Sequence, residues 1–173
     1  MKLSCLNQGL IASLCLVSLS ACGNMEMPGG VSLGATPISA QNLSRLQAED
    51  YQSSRGLKFA QTALNQSTGG TGYCYQYVAQ AIHQNIPAFL WGEHAYMAAD
   101  QLAASPAFRE LSVSQQELNV LPAGTVVVWN KGSSASGHIS IADGRGNEIS
   151  DHIAPQMLSH YGGGSYRVFL PIS

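Results

Sequence analysis

Charge is scarce in this chain of 173 residues: Asp, Glu, Lys and Arg together make up 10 % of it, and the formal net charge is −2. The few Lys and Arg form no cluster, which argues against nucleic acid as a partner and against docking on an anionic membrane surface. Long hydrophobic runs are missing after the first 22 residues, so any membrane attachment would be through lipid rather than a spanning helix. The five histidines show no paired spacing such as His-x-x-x-His, and a single thiol in the mature chain, Cys74, cannot make a Cys-rich zinc site, so no metal site is expected. Glycine-rich loops are present, but no lysine follows them in a phosphate-binding arrangement, and no Gly-x-Ser-x-Gly elbow occurs. No cofactor is called for, and no internal repeat appears.

Against these absences, the N-terminus is informative. Lys2 precedes an apolar run from Leu10 to Leu19, too short to span a bilayer as a stable helix, and Leu19-Ser20-Ala21-Cys22 follows it. The tetrad resembles the lipobox of bacterial lipoproteins, which implies a signal peptide over 1–21 and lipidation of Cys22. The expected location is therefore outside the cytoplasm, anchored in a membrane by lipid. Residues 22–41, rich in Gly, Met, Pro and Ser, read as a flexible tether. Residues 42–173 are of the usual size for one domain.

Cys5 and Cys15 fall in the signal segment and Cys22 would carry lipid, which leaves Cys74 as the lone thiol of the mature chain. An exported thiol with no partner invites a functional reading, although small buried cysteines are also common.

A helix is expected around Leu57, Ala60, Ala63 and Leu64, with Ser53 or Ser54 as N-cap. Another should run from Cys74 to about Gln84, burying Val78, Ala81 and Ile82. A third is expected over Ala95 to Ala104, with Met97 and Leu102 inward. Pro122-Ala123-Gly124 marks a turn into a strand over Thr125 to Trp129. His138 to Ala142 and Asn147 to Asp151 read as a hairpin, and Tyr166 to Leu170 as a last strand. Helices followed by an antiparallel sheet predict an α+β domain.

Cys74 follows Gly69-Gly70-Thr71-Gly72 and opens a helix. Unpaired amides and partial positive charge at a helix start favour a thiolate and can receive an oxyanion. A thiol nucleophile needs an imidazole base. His138, at the start of a strand after a flexible loop, is the best placed. His83 lies two turns along the same helix, His94 and His160 read as surface residues, and His152 remains open.

Gly72-Tyr73-Cys74-Tyr75-Gln76-Tyr77-Val78-Ala79, Pro122-Ala123-Gly124-Thr125 and Gly137-His138-Ile139-Ser140-Ile141-Ala142 resemble, in order and spacing, the cysteine, histidine-dependent amidohydrolase/peptidase (CHAP) family and its NlpC-type relatives. These are cell-wall hydrolases of papain-like fold, and the likeness covers roughly Thr71 to Asp151. It implies Cys74 as nucleophile, His138 as base and the peptide part of peptidoglycan as substrate. Thr125 departs from the pattern, standing where an acid is common. The third residue lies among Glu148, Ser150, Asp151 and His152. Strict alternation puts Glu148, Ser150 and His152 on one face, and a bulge would shift that phase. Asp151 is favoured as the group that holds the imidazolium, ahead of His152 and Glu148. Tyr73, Tyr75 and Trp129 are the expected substrate-lining residues. The competing expectation, from another class, is a catalytically silent lipoprotein that binds wall or a protein partner through the same cleft.

Overall fold

A computed structural model describes residues 46–47, 50–132, 134–160 and 163–173. The expected signal peptide, Cys22 and the tether lie outside the described residues. Among the described residues, no helix is long and apolar enough to cross a membrane.

Helices come first. α1 spans Ser53–Gln66 and α2 Cys74–His83, while a 3₁₀ turn over Ala95–Met97 leads into α3, Ala98–Ala104. Six strands follow: β1 Phe108–Leu111, β2 Val126–Trp129, β3 His138–Ala142, β4 Asn147–Ile149, β5 Ile153–Pro155 and β6 Tyr166–Pro171. They form one antiparallel sheet in the order β1-β6-β2-β3-β4-β5. The α+β expectation therefore holds.

The alternation of β2 divides the interior. Val126 and Val128 join Ile139, Ile141 and Phe169 beneath α1 and α2, which contribute Phe59, Ala63, Val78, Ala81 and Ile82. Val127 and Trp129 point to the other face and pack with Leu118, Leu121, Ala142 and Val168. That second face is covered by a 3₁₀ segment over Gln115–Val120, closed at its start by a reciprocal Ser114–Glu117 capping box. The Ser-x-x-Glu signature is visible in the sequence.

Several local expectations are corrected. Gln52, not Ser53 or Ser54, is the N-cap of α1, and no side chain caps it. Leu57 and Leu64 are exposed; the buried stripe is instead Gly56, Phe59, Ala60 and Ala63. Gly56 is there because a Cβ at that position would strike the Ala123 carbonyl, and one on Gly124 would strike Gly56. Met97 is exposed, whereas Leu102 is buried as expected.

Candidate active site

Cys74 is the first residue of α2 and is half-buried. No side chain caps the helix and no acid stands in its first turn, so its leading amides remain open. The loop that delivers Cys74 is fastened to the sheet by Asp151. The Asp151 carbonyl accepts the amides of Thr68 (3.1 Å) and Gly69 (3.0 Å) and the Ser67 hydroxyl (3.1 Å). Its Oδ2 accepts the Thr71 amide (2.6 Å), the Thr71 hydroxyl (2.9 Å) and the Gly72 amide (2.8 Å). Burial alone would raise the pKa of Asp151, but the bonds from His152, Thr71 and Gly72 outweigh it and hold the carboxyl well below the usual carboxylate range.

His138 opens β3 and is mostly buried, with 12 % of its side chain exposed. As the first residue of its strand, following Gly137 in a left-handed conformation (φ +68°), it can meet the mouth of α2. Desolvation pushes its pKa down, but the hydrogen bond with Cys74 and the bond and charge of Glu148 prevail and raise it to about 9. Nε2 lies 3.3 Å from Glu148 Oε1. Glu148 is buried, and its Oε2 accepts from Ser140 Oγ (3.2 Å), Gln156 Nε2 (3.0 Å) and the Met157 amide (3.2 Å). A carboxylate held in this way turns its other oxygen to the imidazole and cannot swing away.

Cys74 and His138 thus come together as expected, but the carboxylate beside the ring is Glu148 rather than Asp151. The register explains this. Ala142 pairs with Glu148 and Ile141 with Ile149, so regular alternation places Glu148 on the face of Ser140 and His138, with no bulge to shift it. Asp151 lies beyond the end of β4 and turns toward the loop that precedes Cys74. His152 stays near the site, with its ring centroid 6.3 Å from that of His138 and its Nδ1 3.0 Å from Asp151 Oδ1.

A cleft of about 490 Å³ opens beside Cys74, lined among others by Tyr73, Tyr75, His83, Trp91, Glu93 and Ser136. Tyr73 is 64 % exposed, whereas Tyr75, which also lines the cleft, is buried. Trp129 does not line it: the indole is fully buried among Leu118, Leu121 and Val168, 4.8 Å from the Tyr166 ring and 6.0 Å from that of His160. His160 is correspondingly buried rather than on the surface. The aromatic residue missed in the sequence is Trp91, which is 66 % exposed. The only cue to it was a tryptophan beside a glycine in a loop. A larger hollow of about 630 Å³, near Arg55, Phe89 and Pro106, contains none of the reactive groups. Among the described residues, no group of three His, Cys, Asp or Glu side chains could hold a metal ion.

The site therefore defines a class: a thiol at a helix mouth, an imidazole on the neighbouring strand and a buried carboxylate behind it, a set suited to nucleophilic attack on a carbonyl. Among solved structures, the chain is similar to one in the type VI native effector–immunity complex Tae3–Tai3 from Ralstonia pickettii, at 24 % identity over 66 % of this chain and 96 % of that one, with a TM-score of 0.52. The selenomethionine form of the same complex matches at 24 % identity over 65 % of this chain and 98 % of that one, with a TM-score of 0.53. This likeness is one of fold. No family model matches the chain, and no curated protein matches it.

Proposed function

We propose that this protein is a papain-like cysteine amidase or endopeptidase that hydrolyses peptide amide bonds in peptidoglycan, held at a membrane outside the cytoplasm by lipid on Cys22. The observation that carries the reading is the convergence of Cys74, His138 and Glu148 beside an open cleft.

In the reaction, the Cys74 thiolate attacks the amide carbonyl, and the oxyanion is received by amides at the start of α2. The C–N bond breaks as the His138 imidazolium gives its proton to the leaving amine. Water, deprotonated by His138, then attacks the thioester, releases the carboxylic acid and restores the thiol–imidazole pair. Glu148 holds the ring and compensates its charge, and Asp151 keeps the nucleophile loop in place.

Purified peptidoglycan incubated with the full chain should release defined peptides, identified by mass spectrometry, and the Cys74→Ala protein should release none. Equal release by both proteins would rule the thiol out as nucleophile. No release by either, with Cys74 alkylated no faster than a free cysteine, would leave the silent binding module as the better reading.

The resemblance to an effector–immunity complex favours a second reading of the same chemistry. Here the amidase acts on the wall of a competitor, and a cognate protein blocks the cleft. The occupant would then be a tight protein inhibitor encoded with the enzyme. Co-purification with the product of a neighbouring gene, and loss of digestion when that product is added, would establish it.

A further inference from the structure

The cleft wall farther along from Cys74 is built to present one aromatic ring. The Trp91 amide donates to Gln101 Oε1 (2.7 Å), and Gln101 Nε2 donates back to the Trp91 carbonyl (2.8 Å) and to that of Met97 (3.1 Å). Just before it, His83 Nε2 accepts the amides of both Phe89 (3.1 Å) and Leu90 (3.0 Å). The His83 ring also lies 5.5 Å from the indole. A backbone gripped from two sides with its indole left largely uncovered is not explained by packing, because the ring adds little to any core.

Two residues later, Glu93 lines the same cleft. It is exposed, and it makes no ion pair or hydrogen bond with another described residue. Gly92 between them adopts φ +150°, and a Cβ there would crowd the Met97 sulfur at 3.1 Å. That conformation suits glycine and brings the wall close to its support. Among the described residues lining the cleft, Glu93 is the sole carboxylate, and no Lys or Arg offsets it. His83 accepts two amides through Nε2 and so adds no positive charge there.

An aromatic face with one neighbouring carboxylate is a receptor for an ammonium group: the cation is drawn to the ring and paired by the acid. We infer that Trp91 and Glu93 form a specificity subsite for a primary ammonium group on the substrate peptide. The subsite selects amine-bearing peptides over neutral or acidic ones. This deepens the amidase reading and rests on it.

The test compares purified peptidoglycan in its native form and after acetylation of its free amines, using the full-length protein. Wild type should lose about tenfold in kcat/KM on the acetylated wall, chiefly through KM, as cation–π and carboxylate contacts of modest size would give. Glu93→Gln should bring the native wall down to the acetylated level and erase the difference. Trp91→Phe should retain part of the preference and Trp91→Ala lose it. Equal rates of wild type on the two walls, or an unchanged preference in Glu93→Gln, would overturn the subsite.

Binding supplies a readout independent of hydrolysis. Only two tryptophans are present, and Trp129 is buried, so fluorescence changes on ligand binding would report Trp91. The Cys74→Ala protein titrated with L-Ala–γ-D-Glu–L-Lys should bind about tenfold more tightly than with the Nε-acetyl peptide. That preference without wall digestion by wild type would sink the amidase reading while sustaining the subsite. Digestion without any preference would do the reverse.

Discussion

His138 carries two opposing influences, and their balance sets the pH behaviour of the site. Burial favours the neutral ring, yet the Cys74 hydrogen bond and the Glu148 charge hold the proton to about pH 9. In the proposed reaction, release of the amine needs that proton, so kcat/KM on peptidoglycan should stay high through neutral pH and fall as pH rises through about 9. Glu148→Gln removes the charge behind the ring, should move the falling limb to lower pH and should cost roughly a hundredfold in rate. An unshifted limb in that variant would mean that Glu148 serves only the fold. At this scale the sequence pointed to the thiol–imidazole pair that the structure brings together, because Cys74 and His138 each sit where an element begins. It did not single out the carboxylate that lies beside the ring. Glu148 and Asp151 are three residues apart, and choosing between them required knowing that β4 keeps its phase as far as Ile149 and then ends.

Elements follow the sequence wherever a periodic pattern is long or a turn is strongly marked. α2, β3 and the turn at 143–146 belong to this group; in the turn, Asp143 Oδ1 accepts the amides of Arg145 (2.6 Å) and Asn147 (2.9 Å) and so closes the hairpin. β1 and β5 were not foreseen. β1 runs Phe-Arg-Glu-Leu at a sheet edge, where Arg109 pairs with Asp50 and Glu110 with Arg167, so it lacks an apolar run. β5 is only three residues long and ends in proline, an edge-strand feature. Docking of α1 depends on a contact no periodicity encodes: Gly56 lies against the Ala123–Gly124 turn, while the Tyr51 hydroxyl donates to the Ala123 carbonyl (2.8 Å). Gly56→Ala should therefore destabilise the protein by about 2–3 kcal/mol, although alanine is the better helix former. Thermal or urea unfolding would measure this, and a stabilised variant would refute the close packing.

Over the whole molecule, the two tied carboxylate systems bracket the pH range of greatest stability. Asp151 has a depressed pKa, so its contribution is present above the ordinary aspartate value of 3.8 and is lost as pH falls below it. His138 has a raised pKa, so its contribution is complete below the ordinary histidine value of 6.5 and is lost as pH rises through about 9. A plot of Tm against pH should thus form a plateau over the mildly acidic range, with a falling limb on each side. Asp151→Asn should flatten the acid limb and His138→Gln the alkaline one. If both variants merely lowered the whole curve, neither group would be acting through its charge.

The sequence by itself determined what depends on neighbours along the chain: the helix that Cys74 opens, the strand that His138 begins, the α+β order and the expectation of a thiol–imidazole pair. Only the tertiary structure decided what depends on phase and burial across the sheet. It placed Trp129 in the core and Trp91 in the cleft, since an indole reads the same in sequence whichever face of an element it occupies. It gave the ring of His138 to Glu148 and the loop of Cys74 to Asp151, because strand register, not residue type, decides which carboxylate faces which partner.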